Sequence, residues 1–360
     1  MKNKSPHVLI LFSSSQLGGA EKSLSRMAFV SEDIKFTLGT IDKEGPWCEW
    51  VRLNKFEPKV YGSFGWIWGV LNIFRDIRLL SFDVVYLSGL RISLLLRLIF
   101  IFAPKIKLVH GVRWNPISNS KLDKIFRIVE RNFSWLVDGW IVNSKTTKNT
   151  LVTRCNISDK KIFVIYNGVD VQLKPTPINH ELMKILTVAN YSHRKGHIEY
   201  LKIIEKVVNE IPNVRFIFVG RDDMQGLLQQ TIHDYGLSAY ISCEGFQANV
   251  SKYYQEAMLF VLPSLWGEGS PTSILEAFSF SIPVVAYNID GIPELLSNNE
   301  DGIILDVNKF NEAERIIELL KDPNKLTLMG ENGRTKIITN FSMKNCANNH
   351  SEVIRELSNY

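Results

Sequence analysis

Cysteine is scarce in this chain, with only Cys48, Cys155, Cys243 and Cys346 in 360 residues, all far apart. That spacing excludes a disulfide framework and the paired thiolates of a structural zinc site. No Asp-x-Asp occurs, nor a complete Gly-x-Gly-x-x-Gly, a Ser-His-Asp arrangement or a cysteine-nucleophile motif. Dehydrogenase and hydrolase readings lose support accordingly. Repeats, low-complexity tracts and blocks of like charge are missing too, and no uncharged run reaches the ~20 residues that span a bilayer. The opening Met1-Lys2-Asn3-Lys4 leads straight into a short apolar run, His7–Phe12, and then a Gly-rich turn, which is not the pattern of a signal peptide. These features predict a cytoplasmic protein without metal or disulfide.

What is present is a globular composition, 45% apolar and 22% charged, in a chain long enough for two domains. The net charge of +5 conceals an asymmetry. Residues 1–175 hold 26 Lys+Arg against 14 Asp+Glu, whereas residues 176–360 hold 16 against 23. A basic half favours anionic surfaces.

Short apolar runs alternate with amphipathic stretches along both halves, the pattern of parallel strands covered by helices. In the first half the runs are 7–13, 82–87, 107–110, 139–142 and 161–165. After Asn167-Gly168-Val169-Asp170, a turn read as a hinge, two prolines at 175 and 177 deny the chain helix or central strand. The pattern restarts at Lys184. The predicted organisation is α/β: a Rossmann-like domain over 1–171, a linker over 172–183, a second Rossmann-like domain over 184–340, and a terminal helix over 341–360 returning to the first domain. Open α/β sheets bind ligands beyond the carboxyl ends of their strands, so two such domains facing each other would line a central cleft.

The strongest motif is Pro263–Ala277. It leaves an apolar strand, crosses a loop of small residues and begins a helix near Thr272. Unpaired amides and the positive dipole end at such a helix start suit a phosphate. Glu276, in the first turns of the helix, can accept hydrogen bonds from a ribose diol, and Glu268 in the loop would face a sugar. Gly18-Gly19 opens the first helix, where glycines let backbone approach a phosphate. Val188–Gly196 places Asn190, Arg194 and Lys195 after another strand, and Gly220 follows the next. His110 is placed at the end of the strand beginning at Lys107.

Two glutamates seven residues apart in this setting resemble the signature of the retaining glycosyltransferases of family 4, which have the GT-B fold. The resemblance implies that Glu268 contacts the donor sugar and Glu276 the ribose. It implies further that Gly269, Ser270, Pro271 and Thr272 hold sugar and diphosphate, while Lys195 neutralises the leaving group. The family's usual arginine falls on Asn190, and Arg194 is the candidate to supply that charge. Many members have a Phe-Gly pair where this chain has Ser270-Pro271. A histidine at the position of His110 approaches the reacting carbon in the family, so the expected catalytic pair is His110 and Glu268.

The chemistry that follows is transfer from a nucleotide sugar, UDP-linked by preference, without cofactor or metal. Two basic, aromatic-rich segments, 65–78 and 91–105, suit a helix lying at a membrane interface. The partners expected are therefore a lipid-linked or glycan acceptor and the anionic inner leaflet, with no nucleic acid, in bacterial polysaccharide or lipopolysaccharide assembly. A nucleotide-sugar epimerase of the same fold and a non-catalytic nucleotide-sugar or lipid-binding partner are the alternatives.

Overall fold

A computed structural model describes residues 5–97, 100, 106–118, 120–172, 182–306 and 311–358. The expected linker, 172–183, lies almost wholly outside the described residues, as does much of segment 91–105. The chain divides into two units, residues 1–168 with 343–360, and residues 169–342.

Unit 1 is built on a seven-stranded parallel sheet in the order β3-β2-β1-β4-β5-β6-β7. Its strands are β1 (His7–Phe12), β2 (Lys35–Thr40), β3 (Lys59–Val60), β4 (Val84–Ser88), β5 (Lys107–Val112), β6 (Gly139–Val142) and β7 (Ile162–Val164). The crossovers are α1 (Gly19–Val30), α2 (Pro46–Leu53), α3 (Trp66–Leu79), α4 (Leu90–Leu96), α5 (Lys121–Phe133) and α6 (Lys145–Cys155). The central strands read as near-continuous apolar runs because both faces are covered. One face packs on α3 to α6 through Ile73, Ile77, Ile92, Leu96, Phe126 and Leu151. The other packs on α1 and α2 through Leu24, Met27, Trp47 and Val51. Onto that second face comes a helix from the far end of the chain, α13 (Met343–Ser358), which buries Met343, Cys346, Ala347 and Ile354 beside Val8 and Ile10.

β2 and β3 escape the apolar-run reading. β2, Lys-Phe-Thr-Leu-Gly-Thr, carries too many polar residues, and β3 is two residues long at the sheet edge.

Unit 2 repeats the architecture with a six-stranded parallel sheet, β10-β9-β8-β11-β12-β13. Its strands are β8 (Met183–Val188), β9 (Val214–Val219), β10 (Ile241–Cys243), β11 (Leu259–Leu262), β12 (Val284–Tyr287) and β13 (Gly302–Leu305). Its helices are α7 (His197–Glu210), α8 (Leu227–Asp234), α9 (Ser251–Glu256), α10 (Thr272–Ser279), α11 (Glu312–Leu320) and α12 (Pro323–Asn340). The chain enters and leaves this unit side by side: the Val169 amide donates to the Phe341 carbonyl at 3.0 Å, and Val169 bridges Ser342. The division therefore falls at Gly168 and Ser342, not at 171 and 340.

Candidate active site

The carboxyl ends of β8, β9, β11 and β12 gather the candidate residues of unit 2. After β8 the chain makes one tight turn, His193–Lys195, and passes through Gly196 at φ +67° into α7. A side chain at Gly196 would collide with the Pro263 carbonyl, so glycine is needed both for the turn and for the approach of the loop after β11. The two loops are stitched by the Leu265 amide donating to the Arg194 carbonyl at 2.9 Å and by Arg194 Nη1 donating to the Gly267 carbonyl at 3.0 Å.

That stitching brings Lys195 Nζ to 2.5 Å from Glu268 Oε1, with Arg194 Nη1 at 3.8 Å from the same oxygen. Glu268 is only 5% exposed. Burial alone would raise its carboxyl, but the adjacent Lys195 and Arg194 charges outweigh burial and hold it below the ordinary carboxylate range. Burial lowers the Lys195 ammonium, and Arg194 adds to that effect, although Glu268 opposes both. The result is a buried ion pair with a second cation at its edge.

Asp290, after β12, holds this loop from the other side. Its Oδ2 accepts from the Gly267 amide at 2.5 Å and the Glu268 amide at 3.0 Å, and the Gly291 amide donates to the Glu268 carbonyl at 3.2 Å. Asp290 does so from φ +46°, a left-handed conformation that aspartate tolerates better than most residues. Nothing in the local sequence marks it, since its partners are 22 and 23 positions away.

Gly269, Ser270 and Pro271 are buried and lead into α10, whose first residue is Thr272. Glu276 follows on this helix and accepts from Tyr254 Oη at 3.3 Å; the same hydroxyl lies 3.2 Å from the Ser273 carbonyl. Tyr254 is fixed by stacking on Phe280, with ring planes 7° apart. It is a further supporting residue that sequence reasoning missed, because an aromatic at the end of a short helix reads as core.

Asn190 and Gly220 meet at the neighbouring corner. Asn190 Oδ1 accepts from the Arg221 amide at 3.3 Å and its Nδ2 lies 3.4 Å from Asp223 Oδ2; Arg221 Nε in turn donates to Asp223 Oδ1 at 2.7 Å. Gly220 is required because a side chain there would strike the Ala189 carbonyl. The cation on this corner is Arg221, while Arg194 faces Glu268.

In unit 1 the structure corrects the reading of His110. Strand β5 does not end there but runs to Val112, so by the two-residue alternation His110 shares the face of Leu108 and Val112, against α4 and α5. It is fully buried, its Nδ1 2.9 Å from Glu130 Oε1 and 3.0 Å from Arg97 Nη2. Arg97 and Glu130 pair directly, and Glu130 also accepts from Trp140 Nε1 at 2.7 Å. Burial depresses the imidazole pKa, with Arg97 assisting and Glu130 opposing. His110 thus lies in a buried polar cluster that engages its Nδ1 and leaves its Nε2 without a hydrogen-bond partner. The residue beyond the strand end is Arg113, whose Nη2 donates to Ser23 Oγ at 2.9 Å and to Asn167 Oδ1 at 2.5 Å.

Gly18 and Gly19 open α1, but the Gly18 amide donates to the Gln16 carbonyl at 3.1 Å, and a side chain at Gly18 would strike the Glu21 carboxylate folded over the turn. At φ −93° Gly18 adopts a conformation open to any residue, and the Glu21 carboxylate is the movable end of its side chain, so the local structure does not by itself demand glycine there.

Two parallel sheets covered by helices, with a buried cation–carboxylate pair and a helix start at the carboxyl edge of one, define an α/β protein of the GT-B class. Two family models match in tandem, Glycosyltransferase Family 4 over residues 29–173 and Glycosyl transferases group 1 over residues 169–336. The UDP-Gal:alpha-D-GlcNAc-diphosphoundecaprenol alpha-1,3-galactosyltransferase of Escherichia coli is 23% identical over 292 residues, 76% of this chain and 75% of the relative. The amylovoran biosynthesis glycosyltransferase AmsK of Erwinia amylovora is 31% identical over 156 residues, 40% of this chain and 38% of its own length. Among solved structures, that of HepE from Anabaena in complex with UDP and glucose superposes with a TM-score of 0.86 at 20% identity, covering 98% of this chain and 100% of that one. The chain belongs to glycosyltransferase family 4 and is a hexosyltransferase-type enzyme.

Proposed function

We propose that this enzyme moves a hexose from a UDP-sugar to a lipid-linked glycan acceptor in bacterial surface polysaccharide synthesis, with retention of configuration and without a metal ion. The observation that carries the reading is the buried Lys195–Glu268 pair, with Arg194 beside it, at the carboxyl edge of the second sheet and next to the start of α10. The names of the relatives support the rest: one acts on a diphosphoundecaprenol-linked sugar, one serves amylovoran biosynthesis, and HepE was crystallised with UDP and glucose.

Cleavage of the sugar–phosphate bond sends its electron pair onto the diphosphate and leaves positive charge at the anomeric carbon. Fixed donors on the leaving group gain most in that transition state. Lys195, Arg194 and the amides at the start of α10 supply such donors, and Glu276 receives the ribose. Glu268, already bound by an ammonium at 2.5 Å, is a poor nucleophile; its role is to hold the sugar hydroxyls. Retention then follows from attack on the face the phosphate leaves. The acceptor oxygen bonds to the anomeric carbon, the carbon–oxygen bond to phosphate breaks, and the acceptor proton passes to the departing phosphate oxygen.

Calorimetry with UDP-sugars tests the reading, followed by NMR of the product's anomeric centre in the presence of a chelator. Binding of one UDP-sugar that is lost in Glu276→Ala, and a product of unchanged configuration formed with chelator present, is the expected result. An inverted product or a chelator-silenced enzyme overturns the corresponding part.

A further inference from the structure

The loop between β11 and α10 presents one side chain that the transfer chemistry described above does not use. Trp266 is the one tryptophan among residues 169–342, and it is 40% exposed. The residues that follow it, Gly267 to Pro271, are all buried. A single exposed apolar residue is ordinary on a protein surface. This one stands two positions before Glu268, on a loop pinned from both sides. The Leu265 amide bonds to the Arg194 carbonyl and Arg194 Nη1 to the Gly267 carbonyl, while the Gly267 and Glu268 amides bond to Asp290. Gly267 turns the chain at φ +79°.

The neighbours of Trp266 face the turn after β8. A side chain at Gly196 would lie 3.2 Å from Leu265 Cγ, and one at Gly267 would lie 3.2 Å from Arg194 Cδ. Trp266, between them, is the exposed one of the three. The fold thus fixes an indole at the ligand edge of the sheet beside the buried Lys195–Glu268 pair.

Chemistry identifies its occupant. A leaving diphosphate is served by the cations on the turn after β8, and a flat apolar ring is a poor partner for it. An indole offers a large, rigid apolar plate that loses little rotamer freedom on binding. A pyranose ring lined with C–H bonds on one face fits such a plate. Two sugars take part in the reaction. The donor hexose is assigned to Glu268 and the buried residues after it, whereas the acceptor comes to the anomeric carbon from solvent. Trp266 and Glu268 have Cα atoms at most about 7 Å apart. A sugar joined to the anomeric carbon through one oxygen therefore comes within reach of the indole.

We infer that Trp266 is the platform on which the terminal sugar of the acceptor stacks, so that this enzyme extends an existing sugar and does not glycosylate a bare lipid phosphate. The inference rests on the transferase function proposed above and adds to it the chemical class of the acceptor's end.

The test uses the full chain with soluble probes: decyl diphosphate bearing glucose, galactose or N-acetylglucosamine, and decyl diphosphate alone. Binding is read first, without donor, as the part of the tryptophan emission change that wild type shows and Trp266→Phe lacks. A sugar-bearing probe produces that change and bare decyl diphosphate does not. In the transfer assay Trp266→Ala raises KM for the same acceptor roughly tenfold, the scale of truncating one aromatic anchor. kcat, KM for the UDP-sugar and the rate of UDP-sugar hydrolysis stay within about twofold of wild type. Trp266→Tyr, which keeps a ring, recovers most of the acceptor affinity, and Leu328→Ala, at an exposed apolar position on α12, changes none of these quantities. An acceptor KM unchanged in Trp266→Ala overturns the inference, as does an emission change of equal size from sugared and bare decyl diphosphate. A donor KM that rises with the acceptor KM in both Trp266→Ala and Trp266→Tyr overturns it in favour of a brace for the loop. An emission change raised by the UDP-sugar alone gives the indole to the donor and overturns it as well. If the wild type glycosylates none of the probes, the lipid-linked acceptor proposed above falls, and the emission titration still decides whether a sugar sits on Trp266.

Discussion

Replacing Asp290 with glycine sets two local effects against each other. Asp290 sits at φ +46°, where a side chain costs ~1–2 kcal/mol for most L-residues and less for aspartate, so on backbone grounds glycine should help. Against this stand two hydrogen bonds from the Gly267 and Glu268 amides to one carboxylate oxygen. Bonds to a charged group contribute ~1.5–3 kcal/mol each, and the lower end applies because Asp290 is only half-buried. Glycine also widens the unfolded ensemble by ~0.4–1 kcal/mol. About 3.4–4 kcal/mol is lost against about 1 kcal/mol regained, so Asp290→Gly should destabilise unit 2 by ~2.5–3 kcal/mol. For a unit of this size that is a fall of roughly 5–10 °C in melting temperature. Because the freed loop carries Glu268, transfer should fall by more than tenfold at temperatures where the variant is folded. Asp290→Asn, which keeps an acceptor oxygen without the charge, should fall between wild type and glycine in both calorimetry and rate. A melting temperature equal to or above wild type in Asp290→Gly would refute the clamp and leave only the backbone term.

Glu268→Gln and Lys195→Met each strand one buried charge and should cost ~3–5 kcal/mol singly, whereas the double variant should recover more than half of that sum in a denaturation cycle; strict additivity would deny the pairing. Lys195→Met should also slow transfer by ~10²–10³-fold at saturating donor, with an unchanged rate ruling out its contact with the leaving group. His110→Asn should lower stability by ~1–3 kcal/mol through the Glu130–Arg97 cluster and leave the rate of the folded enzyme within about twofold, so a large loss of rate at unchanged stability would restore a catalytic role. Burial holds His197 and His350 at about 3, below the ordinary 6.5, with Lys195 and Arg113 respectively contributing. The unfolded chain then takes up protons below pH 6.5 that the folded chain refuses, so stability is complete above 6.5 and declines toward pH 3 by up to ~1.4 kcal/mol per pH unit for each histidine. His350→Leu should flatten that slope for unit 1 in pH-dependent melting, and an unaltered slope would place the titration elsewhere.

The alternation of short apolar runs with amphipathic stretches determined two parallel sheets covered by helices, because a strand buried on both faces has to be apolar along its length. The loop from Pro263 to Thr272, with Glu268 and Glu276 around it, was legible for a similar reason: a helix start and its preceding turn are written in consecutive residues. Strands β2 and β3 were not legible, since a polar strand and a two-residue edge owe their place to neighbours and not to their own pattern. Tertiary structure alone decided which charges meet. Lys195 and Glu268 are 73 positions apart, Arg97 and Glu130 are 33 apart, and Asp290 reaches back to Gly267 across 23. The fate of His110 turned on two residues of strand length: a histidine ending β5 would have stood at the ligand edge, but with the strand continuing to Val112 the alternation of side chains turns it into the core between sheet and helices. Local sequence specifies the conformation of a segment; the direction a side chain finally faces depends on where the sheet stops and which helix covers it.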